Sequence, residues 1–182
     1  MLWFLGIVLA LIVLAIIICK LYIVRLGKAN PVIYTDRRTE FKATDFKEKS
    51  MTVECEMPYM NTGKLLCTIM DCYPRVLLPQ EQFKGVKVSG RVEREGERRN
   101  DGYFEAVLVY PQTGGKLFVT LDLEVQNEDV LETLLAMPDV NVDIVYQIVD
   151  RHRLYIDKTR IVLTAREVRD AIEAKGAMMN ND

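Results

Sequence analysis

The first two dozen residues constrain this chain more than any other feature. Residues 2–19, Leu-Trp-Phe-Leu-Gly-Ile-Val-Leu-Ala-Leu-Ile-Val-Leu-Ala-Ile-Ile-Ile-Cys, carry no charge. If the stem of Lys20 snorkels, the apolar run continues through Leu21, Tyr22, Ile23 and Val24. At about 1.5 Å per residue, about 20 residues cross a hydrocarbon core roughly 30 Å thick. Residues 1–25 are therefore expected to form one transmembrane anchor that partners the lipid bilayer. Its membrane contacts are assigned to Leu2, Trp3, Phe4, Ile7, Leu11 and Ile17, with Lys20 and Tyr22 at the boundary. Trp3 and Tyr22 suit the two interfaces.

A cleaved signal peptide needs a basic leading region, a shorter apolar core and small residues before the cut. None is present, and Ile18 directly before Cys19 is too large for a lipoprotein signal, so the helix is expected to be retained. No Lys or Arg precedes it, whereas Lys20, Arg25, Lys28, Arg37 and Arg38 follow closely against a single early acid, Asp36. Positive flanks stay on the cytoplasmic side, which predicts a cytoplasmic C-terminal domain.

At 182 residues the chain has room for one ordinary domain beside the anchor. Much of its 49% apolar content is concentrated at the N-terminus, leaving an ordinary mixed-charge remainder. The organisation expected is an anchor over 1–25, a polar stalk over 26–50, a strand-rich domain over 51–176 and a flexible tail over 177–182. Acids dilute the basic residues of the stalk, so it lacks the dense cationic cluster of a lipid-specific patch.

Period-two alternation dominates the domain. Residues 51, 53, 55, 57 and 59 are apolar between Thr52, Glu54 and Glu56, which predicts a strand with one face inward. Asn61-Thr62-Gly63-Lys64 supplies turn chemistry, and residues 65–72 read as the returning strand of a hairpin. Pro74 and Pro79 bracket a segment expected to cross between sheet edges. Val86, Val88, Gly90 and Val92 alternate with polar residues in a half-exposed strand; residues 95–102 follow as a charged hairpin loop. Strands are expected over 103–110 and 116–125, joined by a turn at 111–115. A short helix capped by Asn127 carries Val130, Leu131, Leu134 and Leu135 up to the break at Pro138. Residues 140–148 and 154–163 form a terminal hairpin about a turn at 150–153. Thr164 stands three residues before Glu167, the spacing of a capping box, so a last helix with an apolar stripe of Val168, Ala171 and Ile172 is expected to end at Gly176. Six or seven antiparallel strands with peripheral helices predict a mainly β fold: an N-terminal transmembrane helix, then an antiparallel β-sandwich or small β-barrel with a short internal helix and a C-terminal helix.

Chemistry-bearing residues are sparse. The single histidine, His152, lies between Arg151 and Arg153 in a turn, and the only serines are Ser50 and Ser89, which leaves little from which to build a nucleophile–base pair. Cys55, Cys67 and Cys72 are separated by eleven and four residues, gaps unlike those of a zinc site; they read as small buried hydrophobes. Gly63, Gly114 and Gly115 sit in turns between strands, not between a strand and a helix, so no nucleotide fingerprint is present. A net charge of −2, with Glu93, Glu95 and Glu97 interleaved among the arginines of 91–99, disfavours nucleic acid. No catalytic residue, cofactor or metal is assigned.

Arg37-Arg38 ahead of a strand-rich domain, with Asp71 at a strand end, resembles the PilZ domain, a small β-barrel that binds a cyclic dinucleotide. The resemblance implies a membrane-tethered small-ligand sensor. The chain departs from the family pattern where Lys42 stands in place of the second arginine of Arg-x-x-x-Arg, and where Tyr73 and Val76 interrupt Asp-x-Ser-x-x-Gly. The reading favoured by the residues is a membrane-anchored, non-enzymatic protein-interaction or scaffold domain. Its partner contacts are expected on loops carried by the sheet scaffold, at Arg75 in the Pro-bracketed crossing over 73–82 and at Arg94, Arg98, Arg99 and Asp101 around the charged loop.

Overall fold

The computed structural model describes residues 2–79, 83–99, 101–151 and 153–179. It opens with α1 (Leu2–Leu26), whose stretch Gly6–Leu26 is long and apolar enough to cross a membrane and is not buried by the described residues. Nine strands follow: β1 (Pro31–Ile33), β2 (Lys42–Lys47), β3 (Ser50–Asn61), β4 (Cys67–Leu77), β5 (Val86–Arg94), β6 (Val107–Val109), β7 (Gly114–Val125), β8 (Val140–Asp150) and β9 (Leu154–Leu163). Two helices join them, α2 (Val130–Leu135) and α3 (Ala165–Met179).

The strands build two antiparallel sheets, the β-sandwich expected from the alternation. Sheet 1 has the order β1-β3-β7-β5, with β2 also paired to β3; sheet 2 has the order β6-β4-β8-β9. Since β7 takes one full edge of β3 from Ser50 to Met60, β1 and β2 share the other. The period-two pattern does the packing. Met51, Val53, Cys55 and Met57 stand opposite Leu123, Leu121, Val119 and Leu117, all buried, and meet Ile69, Ile144, Ile148 and Leu163 of sheet 2 in the core. Cys55, Cys67 and Cys72 are free and buried, as small apolar side chains would be.

Pairing differs from expectation in three connections. The β3–β4 link is no hairpin: β3 lies in sheet 1 and β4 in sheet 2. Asn61, expected as a turn residue, is fully buried and holds this crossing. Its Oδ1 accepts the backbone N–H of Asn30 and of Gly63, both at 3.0 Å, and its Nδ2 donates to the carbonyls of Leu65 at 2.7 Å and Val109 at 3.1 Å. The charged loop after β5 and the turn before β7 also cross between sheets. The strand expected over 103–110 contracts to β6 and pairs with β4. Tyr73, Pro74 and Arg75 are not a crossing segment but continue β4 beyond a bulge at Asp71, where φ is 49°. Pro74 lies beyond the span of β4 that β6 covers and stands in register with Ile144 of β8. The β8–β9 hairpin forms as expected.

The largest difference concerns residues 26–50. Instead of a polar stalk they supply β1, a 3-10 turn (Thr35–Arg37) and β2, all folded onto the sandwich. Phe41 enters the core. Asp129, not Asn127, caps α2, its carboxylate accepting the Glu132 N–H at 3.0 Å, and α3 runs through Gly176 to Met179.

Candidate functional site

Glu167 organises one open side of the sandwich. Its capping box forms as its spacing from Thr164 predicts: the Glu167 N–H donates to Thr164 Oγ1 at 3.2 Å, and the Thr164 N–H donates to Glu167 Oε2 at 2.9 Å. The same carboxylate receives Arg38 through both guanidinium nitrogens, at 2.7 and 3.2 Å, and the Phe41 N–H at 3.0 Å. Arg38 also donates to the Val162 carbonyl at 2.8 Å. Burial pushes the Glu167 carboxyl up, but the donors from Arg38, Thr164 and Phe41 outweigh it and hold the group below the usual carboxylate range. These bonds fix the start of β2 beside the first turns of α3.

Past this clamp, β2 and α3 diverge and leave a groove of about 490 Å³. Seven consecutive residues from Glu40 to Phe46 line one wall. Side chains of a strand point alternately to opposite faces, so an unbroken run of lining residues means that the wall is the strand's edge. The other wall is the small-residue face of α3, Ala171 and Ala174, three apart on one side of the helix. Phe41, Ala43 and Phe46 supply apolar floor, while Glu40, Asp45 and Asp170 outnumber Lys42 among the charged lining residues. The groove therefore combines a sheet edge, a helix at a short distance and an acidic rim.

The residues expected to touch a partner are placed otherwise. Arg94 pairs with Glu97 at 3.2 Å. Arg98 lies over the Phe118 ring, 4.5 Å from its centroid, hydrogen-bonds Glu54 and approaches Glu93 at 3.7 Å. Arg99 binds Asp101 at 3.0 Å and Glu105 at 3.5 Å, and stacks on Tyr103. These arginines thus pair within the charged loop and with the outer face of sheet 1. Arg75 lies on the other sheet, exposed, in register with Asp143, whose carboxyl pKa is lowered to about 2 by the hydrogen bonds of Arg160 at 2.7 Å and Lys158 at 3.1 Å. The structure does not bring the five together. On α1, Leu2 opens the helix and Trp3, Phe4, Ile7, Leu11, Ile17, Lys20 and Tyr22 follow along it with exposed side chains.

His152 lies outside the described residues. Burial raises the Cys55 thiol to about 12 and the Cys67 thiol to about 11, and raises Cys72 too, which keeps all three protonated and unreactive at neutral pH. Among the described residues no three His, Cys, Asp or Glu side chains gather as a metal cluster would require. The pair expected from the PilZ resemblance does not converge either. Arg38 is committed to Glu167 and β9, and Asp71 sits in the β4 bulge, two strands away in sheet 2.

No family model matches the chain, and no curated protein matches its sequence. Solved structures similar to it include the GAE domain of yeast GGA1, with a TM-score of 0.36 and 12% identity over 74% of this chain and 98% of that one. The GAE domain of GGA2p from Saccharomyces cerevisiae gives 0.36 and 6% over 75% and 98%. A FixG-related protein from Vibrio parahaemolyticus gives 0.32 and 11% over 74% and 94%.

The groove itself escaped the sequence because its strand wall lies in a polar stretch. The available signal was Phe41, Ala43 and Phe46, apolar side chains with no role in a solvated stalk.

Proposed function

We propose that this chain is a membrane-anchored, non-enzymatic interaction domain that captures an extended segment of a partner protein along β2. The observation that carries the reading is the groove between the β2 edge and α3. An edge strand presents backbone donors and acceptors to a further strand, and β-strand addition beside a groove obtains affinity from those main-chain bonds and selectivity from pockets for alternate side chains. The acidic rim of Glu40, Asp45 and Asp170 fits a segment with Lys or Arg among its apolar residues. Attachment through α1 would hold this site at the bilayer and raise its effective concentration for other membrane-bound partners. The basic flank after α1 supports a cytoplasmic domain.

The test is selection of extended peptides on the full-length chain in nanodiscs, followed by titration against Ala174→Trp, which fills the groove from an exposed helix position. The expected result is recovery of basic-apolar peptides whose affinity falls at least about tenfold, or about 1.4 kcal/mol, in the variant, with an unchanged far-ultraviolet spectrum. Undiminished binding to Ala174→Trp would reject the groove, and recovery of no peptide would reject the interaction reading.

A further inference from the structure

We infer that the anchor-side end of the sandwich is seated in the headgroup layer of an anionic leaflet, with its apolar row and flanking cations in contact with lipid. The inference rests on the reading of α1 as a membrane anchor and goes beyond it, since it gives the folded domain a lipid surface of its own.

The absence of a stalk is the first argument. The 21 residues from Gly6 to Leu26 are, at about 1.5 Å each, the length of a bilayer core. Beyond Leu26 the chain is already part of the domain: the Lys28 carbonyl accepts the Lys64 N–H at 2.9 Å and the Asn30 carbonyl accepts the Thr62 N–H at 2.9 Å. Gly63 lets the strands approach so closely that a Cβ there would stand 2.3 Å from the Lys28 oxygen. A headgroup layer is about 5–7 Å deep on each side. With Tyr22 at the boundary, α1 continues only four residues, about 6 Å, to Leu26, so the domain begins at the level of the headgroups.

The composition of that end is the second argument. The β3–β4, β6–β7 and β8–β9 connections all lie there, because Cys67 is in register with both Val109 and Asp150. On the outer face of sheet 2 the terminal cross-strand row is Leu108, Thr68, Val149 and Leu154. Leu108 and Leu154 are 57% and 63% exposed, and Tyr110 and Leu66 beside the same connections are 59% and 41% exposed. Exposed apolar side chains gathered at one place mark a contact surface. Lys28, Lys64, Arg151 and Arg153 stand exposed among them; the neighbouring acid, Asp150, is turned inward and held by Arg153 at 3.3 Å. Aliphatic and tyrosyl groups beside cations, next to the exit of an apolar helix, match an interface with negative headgroups.

The experiment uses the full-length chain in nanodiscs of phosphatidylcholine with or without phosphatidylglycerol. Cys19, the exposed thiol among the four cysteines, is replaced by Ser, and a spin label is placed at Leu154→Cys or, as the far-end control, at Lys49→Cys in the β2–β3 turn. The expected result is that the label at 154, unlike that at 49, loses accessibility to an aqueous nickel chelate and gains it to lipid-soluble oxygen. Adding Lys64→Glu and Arg151→Glu should abolish that protection in phosphatidylglycerol discs. Equal aqueous accessibility at 154 and 49, with the chain retained in the disc, would overturn this inference and leave the anchor standing. Release of the chain from the discs would overturn both. Protection at 154 that survives in detergent and disappears on dilution would assign the row to a second copy of the chain instead.

Discussion

Glu167 carries more of this fold than any other single carboxylate described, because it caps α3, binds Arg38 and accepts the Phe41 amide at once. Its folded-state pKa is depressed, so the charged form is the stabilising one. The contribution is complete above the unfolded value of about 4.3 and is lost as the pH falls through the lower folded value. Glu167→Gln should therefore destabilise the full chain at neutral pH and flatten the acid limb of its stability profile, measured by urea titration from pH 7 downwards in detergent. Arg98 gives a second residue-scale expectation. It faces Glu54 and the buried Glu93, so Arg98→Glu would gather three carboxylates on the outer face of sheet 1. The loss should be about 2–4 kcal/mol in stability, seen in thermal melts, in place of a selective loss of partner capture. The capping pair was legible in the sequence as Thr164 and Glu167 at the right spacing. Arg38 was not, because its partner lies 129 positions away and no local pattern announces so distant a pairing.

At the scale of elements, alternation reveals that a strand exists and which face it buries, but not which strand lies beside it. Alternation alone identifies the inward residues of β3 and β7, and the β8–β9 hairpin is legible too, because its partners are adjacent and the turn is short. The β3–β4 connection misled because Asn-Thr-Gly-Lys is good hairpin chemistry. Tertiary structure used Asn61 as a buried junction of both sheets instead. Residues 31–47 were missed as strands because they are short, polar and at a sheet edge, where a single face needs apolar cover. Their removal has a measurable consequence. A fragment beginning at Met51 loses β1, β2, Phe41 and Arg38 and uncovers one edge of β3, so it should be aggregated or disordered in size-exclusion chromatography and circular dichroism, whereas a fragment beginning at Lys28 should be monomeric and strand-rich. Equal behaviour of the two fragments would show that the edge strands are dispensable.

For the whole molecule, the positive flank after α1 predicts that a C-terminal reporter active only in the cytoplasm gives signal while an export-dependent reporter stays silent; the reverse pattern would place the domain on the opposite side. The groove along β2 opens between α3 and the sheet edge. The apolar row of sheet 2 lies at the end where α1 leaves. A domain held to the bilayer by one end could still present a groove beside its helices to a partner in solution. That arrangement depends on residues 27–30 acting as part of the domain and not as a tether.

What the sequence determined alone was everything governed by local periodicity or a run of one chemical kind: the long apolar helix, the strand-rich class, the inward faces and the capped last helix. Each follows from backbone geometry acting over a few residues, and no distant partner is needed to express it. What only the tertiary structure decided was partnership: which strands share a sheet, that Arg38 serves Glu167, that Asn61 joins both sheets, and that β2, paired with β3 alone among the described strands, lies beside α3. Those outcomes depend on which surfaces can bury one another at native density, and chain positions far apart in sequence settle that only when the whole core closes.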